Sequence, residues 1–115
     1  MEGSIMSSEF TAKVLVALSK WIDEGNVHRD PEAITWGRLA KIAEENGEVI
    51  EAFIGWTGQN PRKGVTKGRE DVEKELLDVA ITALGALEHL RGHDGMSLAL
   101  LENAILQVAN RAGVL

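Results

Sequence analysis

EKELLDVAITAL, Glu73 to Leu84, is the stretch that decides the fold. A helix advances roughly 100° per residue, so with Glu75 set at zero, Val72, Leu76, Val79, Ala80 and Ala83 fall between about 40° and 140°. Leu87 and Leu90 extend the same arc downstream, while Leu77, Ile81 and Leu84 widen it to about 240°. The period is that of a helix buried on more than one side, not the alternation of a strand. Glu75 borders the apolar arc and Asp78 lies about 60° beyond it. Both acids stand in the narrow polar stripe that remains.

Upstream of this helix lies TGQNPRKGVTKGRED, residues 57–71, whose Gly, Pro and Asn content reads as a loop. It carries Arg62, Lys63, Lys67 and Arg69. Before it, Asp30-Pro31-Glu32 has the chemistry of a helix start, with an N-cap, proline at the first helical position and an acid in the first turn. That second helix is predicted to run to about Trp56. A first helix is predicted from Glu9 to Glu24, capped by Ser8 and stopped at Gly25, with Phe10, Val14, Leu15, Leu18, Trp21 and Ile22 at helical spacing. Downstream, GHDG (residues 92–95) breaks the third helix near Arg91. A fourth, from Ser97 to Arg111, is predicted to bury Leu98, Leu101, Ile105 and Val108. The expectation is an all-α protein of four helices, one domain over residues 8–115 behind a flexible tail at residues 1–7.

The bulk numbers narrow the function classes. The chain has 115 residues, room for one modest core, so a helical protein of this size gains from pairing with a copy of itself. Eighteen acids against 12 bases give a net charge of −6, which disfavours a nucleic-acid polymer or an anionic membrane as partner. An anionic small molecule stays open, because a bound cation reverses the local field. There is no cysteine, so disulfides, zinc–thiolate sites and thiol catalysis are excluded. That suits a cytoplasmic protein. No apolar run approaches the roughly 18 residues of a membrane span.

The second helix repeats the arrangement of the third. With Glu45 at zero, Leu39, Ile42, Val49, Ile50 and Phe53 define a core side between about 40° and 140°. Glu45 sits at its edge and Glu48 about 60° beyond, whereas Glu44 and Glu51 fall farther round, toward solvent. The two helices thus carry matching acid pairs, Glu45/Glu48 and Glu75/Asp78. Packed antiparallel, they can turn both pairs to one pocket. Four carboxylates there would repel strongly unless a cation sat among them, and oxygen-only ligands suit Mg²⁺ or Mn²⁺. A di-iron bundle would want Glu-x-x-His, and neither His89 nor His93 has a glutamate three residues before it. An isolated Glu-x-x-Glu is ordinarily a solvated face, so spacing alone leaves that reading and the metal site both standing.

EENGE (Glu44–Glu48) followed by ELLD (Glu75–Asp78) resembles the paired acid signature of MazG-like nucleoside triphosphate pyrophosphohydrolases, an all-α family. Gly47 and the apolar run VAITALGAL (Val79–Leu87) match as well, and the likeness extends over residues 34–90. Phosphoribosyl-ATP pyrophosphohydrolases are related, but there the paired acids directly follow a glycine, an order reversed here. The resemblance implies a four-helix bundle completed by dimerisation or tetramerisation. It implies that Glu45, Glu48, Glu75 and Asp78 bind Mg²⁺, with Glu45 or Glu48 as general base. The reaction implied is cleavage of a ribo- or deoxyribonucleoside triphosphate to monophosphate and pyrophosphate, in nucleotide-pool housecleaning. The basic loop, Lys63, Lys67 and Arg69 foremost, would meet the phosphates, unless it is a solvated turn. Asn110 and Arg111 resemble residues that approach the nucleotide, although the family's preceding lysine and following aromatic are missing. Trp56, near the family's base-stacking position, and Trp36 are candidates to stack on the base, core packing being the alternative for each. His28, His89 and His93 read as surface or helix-end residues. The competing reading is a non-catalytic nucleotide sensor or a dimeric helical interaction module.

Overall fold

The computed structural model describes residues 8–115; the predicted tail, residues 1–7, lies outside them. Four helices follow in order, α1 (Ser8–Glu24), α2 (Pro31–Thr57), α3 (Arg69–Leu90) and α4 (Ser97–Ala112), with no strand among the described residues. The architecture is all-α, and each predicted boundary falls within one or two residues of the observed one. Among the described residues, no helix is long and apolar enough to cross a membrane.

Local chemistry explains the boundaries. Asp30 caps α2 as expected, its Oδ2 accepting from the amides of Glu32 at 3.1 Å and Ala33 at 3.4 Å. α2 ends at Gly58, which is left-handed at φ 69° and donates its amide to the Ile54 carbonyl at 3.0 Å. α1 stops where expected by a different device. The Gly25 amide donates to the Trp21 carbonyl, and the Asn26 side-chain amide donates to the Ile22 carbonyl at 2.8 Å. α3 begins behind Gly68, whose amide donates to Oδ2 of Asp71 at 2.9 Å, one half of a capping box.

The described chain falls into two compact units, with α3 continuous through both. One comprises the chain up to Arg29 together with Leu84–Leu115; the other comprises Asp30–Ala83. In the first, α1 packs on α4, and Leu15 and Ala86 are buried. A buried polar network stands beside them. The Ser19 hydroxyl, fully buried, donates to the Gly85 carbonyl at 3.0 Å and lies 2.9 Å from Nε2 of His93. Asp23 Oδ2 lies 2.6 Å from Nδ1 of His89 and 3.4 Å from Nε2 of His93. In the second unit, α2, the loop over residues 58–68 and the N-terminal part of α3 come together, with Ala52 buried.

The predicted core faces are where structure and sequence part. Leu101, Ile105 and Val108 of α4 are exposed, Ile105 to 56%. So are Phe10, Val14, Leu18, Trp21 and Ile22 of α1, Leu39, Ile50 and Phe53 of α2, and Leu76, Leu77, Ile81 and Leu90 of α3. The helical period identified apolar faces, but one copy of the chain supplies no surface to cover them. His89 and His93 also differ in part from expectation. They are helix-end residues, yet both side chains are only 16% exposed and both engage Asp23.

Candidate metal centre

The second unit brings the two acid pairs together. Carboxylate oxygens of Glu45, Glu75 and Asp78 lie within 4.8 Å of one another, and so do those of Glu44, Glu45 and Glu48. Glu45 belongs to both groups. Its side chain is only 12% exposed, which fits its position at the edge of the apolar arc of α2. Glu48, Glu75 and Asp78 are half-buried, and Glu44 is exposed.

The electrostatics record the crowding. The charge on Glu45 does most to push the Glu48 carboxyl above the ordinary range; desolvation and the charges on Glu75 and Glu44 add to it, while Lys41 opposes. Two lysines offset part of the negative field. Lys41 is hydrogen-bonded to Glu44 and lies 3.5 Å from Glu45, and Lys74 lies 3.7 Å from Asp78. All these candidate donors are oxygens, three at each position, the first group drawn from α2 and α3 and the second from α2 alone. The donor set fits a hard divalent cation.

Glu44 is exposed, as its angle on α2 predicts, and only its place within 4.8 Å of Glu45 and Glu48 gave no signal in the sequence. A carboxylate on a flexible stem reaches across that angle. Arg38 gave no signal either. It lies seven residues before Glu45, about 20° off on the same face, and is 8% exposed.

The remaining candidate residues divide between the two units. Gly55 follows Glu48 by seven residues, two helical turns on the same stripe. Its carbonyl accepts the amides of Thr66 at 2.9 Å and Lys67 at 3.3 Å, so the basic loop is pinned to the acid-bearing face of α2. Trp56 follows Glu45 by eleven residues, three turns on and about 20° off. Phe53 stands nearly perpendicular to its ring at 5.7 Å, and the Arg69 guanidinium lies over that ring, 5.9 Å from the centroid. Arg62 and Lys63 are exposed at the turn built on Asn60, which accepts the Arg62 amide through Oδ1 at 3.1 Å. Trp36 lies nine residues before Glu45, on the opposite face of α2, exposed, with its indole N–H donating to Glu32 at 3.2 Å. Asn110 and Arg111 are exposed in the last turn of α4 and belong to the other unit. That unit holds a cleft of about 500 Å³, lined by Lys13, Val16, His93, Leu98 and Glu102 among others, and none of the four acids borders it.

Compared with known protein families, with curated proteins and with solved structures, the chain matches none.

Proposed function

We propose that the chain is a Mg²⁺-dependent nucleoside triphosphate pyrophosphohydrolase of MazG-like type. The observation that carries this reading is the convergence of Glu45, Glu75 and Asp78 within 4.8 Å. These carboxylates come from helices joined by a basic loop that is itself pinned to the acid-bearing face. Glu45, Glu48, Glu75 and Asp78 hold the cation, Mn²⁺ serving in place of Mg²⁺, and Glu44 flanks them. When bound, the cation neutralises polyphosphate charge and lowers the pKa of a coordinated water for attack on the α-phosphorus. Glu45 or Glu48, whichever keeps an oxygen free of the cation, takes the proton from that water. Lys63 and Lys67 meet the outer phosphates, and Asn110 and Arg111, which belong to the other unit, approach the nucleotide when a second copy presents them.

The active form is a homodimer or a tetramer built from two dimers, acting in the cytoplasm on surplus or non-standard nucleotides. Support for the oligomer is the row of exposed apolar side chains on α1 and α4, a pattern uncommon on monomers. The same faces favour the second reading, a helical interaction module or nucleotide sensor without catalysis. Pyrophosphate release separates the two. It is measured over a panel of ribo- and deoxyribonucleoside triphosphates, with and without Mg²⁺, beside Glu48→Gln. Metal-dependent release lost in Glu48→Gln supports the hydrolase. No release from any triphosphate by folded protein shifts the reading to the module.

A further inference from the structure

The two candidate cation positions share Glu45, and one of them already carries a positive charge. Lys41 stands on the acid stripe of α2, about 40° from Glu45 and one turn before it. Its ammonium is hydrogen-bonded to Glu44 and lies 3.5 Å from Glu45, two of the three carboxylates in the Glu44/Glu45/Glu48 group. We propose that Lys41 is the resident cation of that group, so that the centre takes one divalent ion and not two. The ion sits on Glu45, Glu75 and Asp78, with Glu48 at its edge. This rests on the metal reading above and adds to it the number of ions and the residue that sets it.

Three features of the second unit carry it. Side chains of a helix lean toward its N-terminus, so Glu44 and Glu45 both tilt onto the turn that bears Lys41. As a helix-stabilising pair the order is the poorer one, since glutamate ahead of lysine is the favourable arrangement. The contact is accounted for by the crowding of carboxylates, not by the needs of the helix. The Glu45/Glu75/Asp78 group has no such guard. Lys74 lies 3.7 Å from Asp78 alone, and its side chain is 74% exposed, so an incoming ion displaces it readily. Two divalent ions on a shared carboxylate would stand about 3.5–4 Å apart and repel with twice the charge product of one such ion beside an ammonium. An ammonium offsets carboxylate charge and donates hydrogen bonds, but it coordinates no water. The attacking water therefore belongs to the single divalent ion.

The test counts Mn²⁺ bound to the full chain, from the loss of the free-ion electron paramagnetic resonance signal, with no nucleotide present. The parent should bind one ion and Lys41→Met two. Lys41→Arg, which keeps the charge, should return the count to one. Lys74→Met, which removes an equal charge beside Asp78, should leave it at one. Adding Glu44→Gln to Lys41→Met should release the second ion, because Glu44 belongs to the second group only; an ion merely drawn to surface acids would stay. In the parent, the ¹⁵Nζ resonance of Lys41 should hold its position as one equivalent of Mg²⁺ binds. Two ions in the parent, or one in Lys41→Met, overturn the proposal and leave the metal centre standing, as does a Lys41 resonance that moves with the first equivalent. No ion in either chain overturns both. One ion in the parent and two in Lys41→Met, without pyrophosphate release, keep the proposal and refute the enzyme alone.

Discussion

Glu88 shows how much a single buried carboxylate can settle. It is fully buried, and its oxygens accept the amides of Gly95 at 3.0 Å and Ser97 at 2.9 Å. α4 has no side-chain cap of its own at Met96, so a residue from the end of α3 satisfies the amide of its first residue, Ser97, and that of Gly95 in the turn before it. Burial pushes the Glu88 carboxyl up, but the hydrogen bonds from Ser97 and Gly95 outweigh it and leave the group below the ordinary 4.5. A depressed folded value means stability present above the unfolded value and lost as pH falls through the folded one. Glu88→Gln turns an amide donor toward a backbone donor and should cost about 1.5–3 kcal/mol, read by urea unfolding at neutral pH and shrinking in acid. Glu48 has the opposite sign. Its raised value means that its contribution is full below 4.5 and is lost as pH rises through the folded value. Without a divalent cation, Glu48→Gln should therefore unfold at a higher temperature than the parent at neutral pH. Adding Mg²⁺ should stabilise the parent and leave the variant nearly unmoved. A parent chain whose melting is indifferent to Mg²⁺ and to EDTA would sink the metal centre.

At the scale of elements, Gly55 does work that its place inside α2 conceals. A Cβ there would stand 2.5 Å from Cγ of Lys67 and 2.9 Å from Oγ1 of Thr66. These are atoms near the backbone of a pinned loop, so the loop must give way. Gly55→Ala should cost about 1–3 kcal/mol despite the better helix propensity of alanine, and should release the basic loop from the acid-bearing face. Under the hydrolase reading, KM for triphosphate rises while kcat changes less, and limited trypsin digestion cuts sooner at Arg62, Lys63 or Lys67. Unchanged digestion would mean that the loop tolerates the methyl group where it lies. Helix boundaries were legible in the sequence because caps and stops are local: Asp30-Pro31 and Gly58 act within a few residues of themselves. The pairing of Glu45 with Glu75 and Asp78 was legible through helical angle. The Gly55 dock and the Glu88 cap were not, since each joins positions whose nearness only tertiary structure creates. The partners of the helix-end residues His89 and His93 were hidden for the same reason, Asp23 and Ser19 lying more than sixty residues away.

For the whole molecule, the uncovered apolar faces set the outstanding question of partnership. Periodicity reports which side of a helix is apolar, not whether the chain itself covers that side. On α1, Phe10, Val14, Leu18 and Trp21 recur every three or four residues and are all exposed, Trp21 to 72%. On α4, which packs against α1, Leu101, Ile105 and Val108 follow the same rhythm and are exposed as well. Rows of this kind on adjoining helices cost free energy at roughly 25 cal/mol per Å² of apolar surface left in water, and a second copy presenting the same rows would remove much of it. Two-fold pairing brings like surface to like surface, so one substitution acts twice at the interface. Ile105→Glu should therefore convert a dimeric or tetrameric parent to smaller species in sedimentation equilibrium at micromolar concentration, and lower its melting temperature. On a free surface the same change would stay within about 0.5 kcal/mol and leave the mass alone. A parent that sediments as a monomer, with Ile105→Glu as stable as itself, would show that these faces stand open in solution and would leave their conspicuous regularity to a partner of another kind.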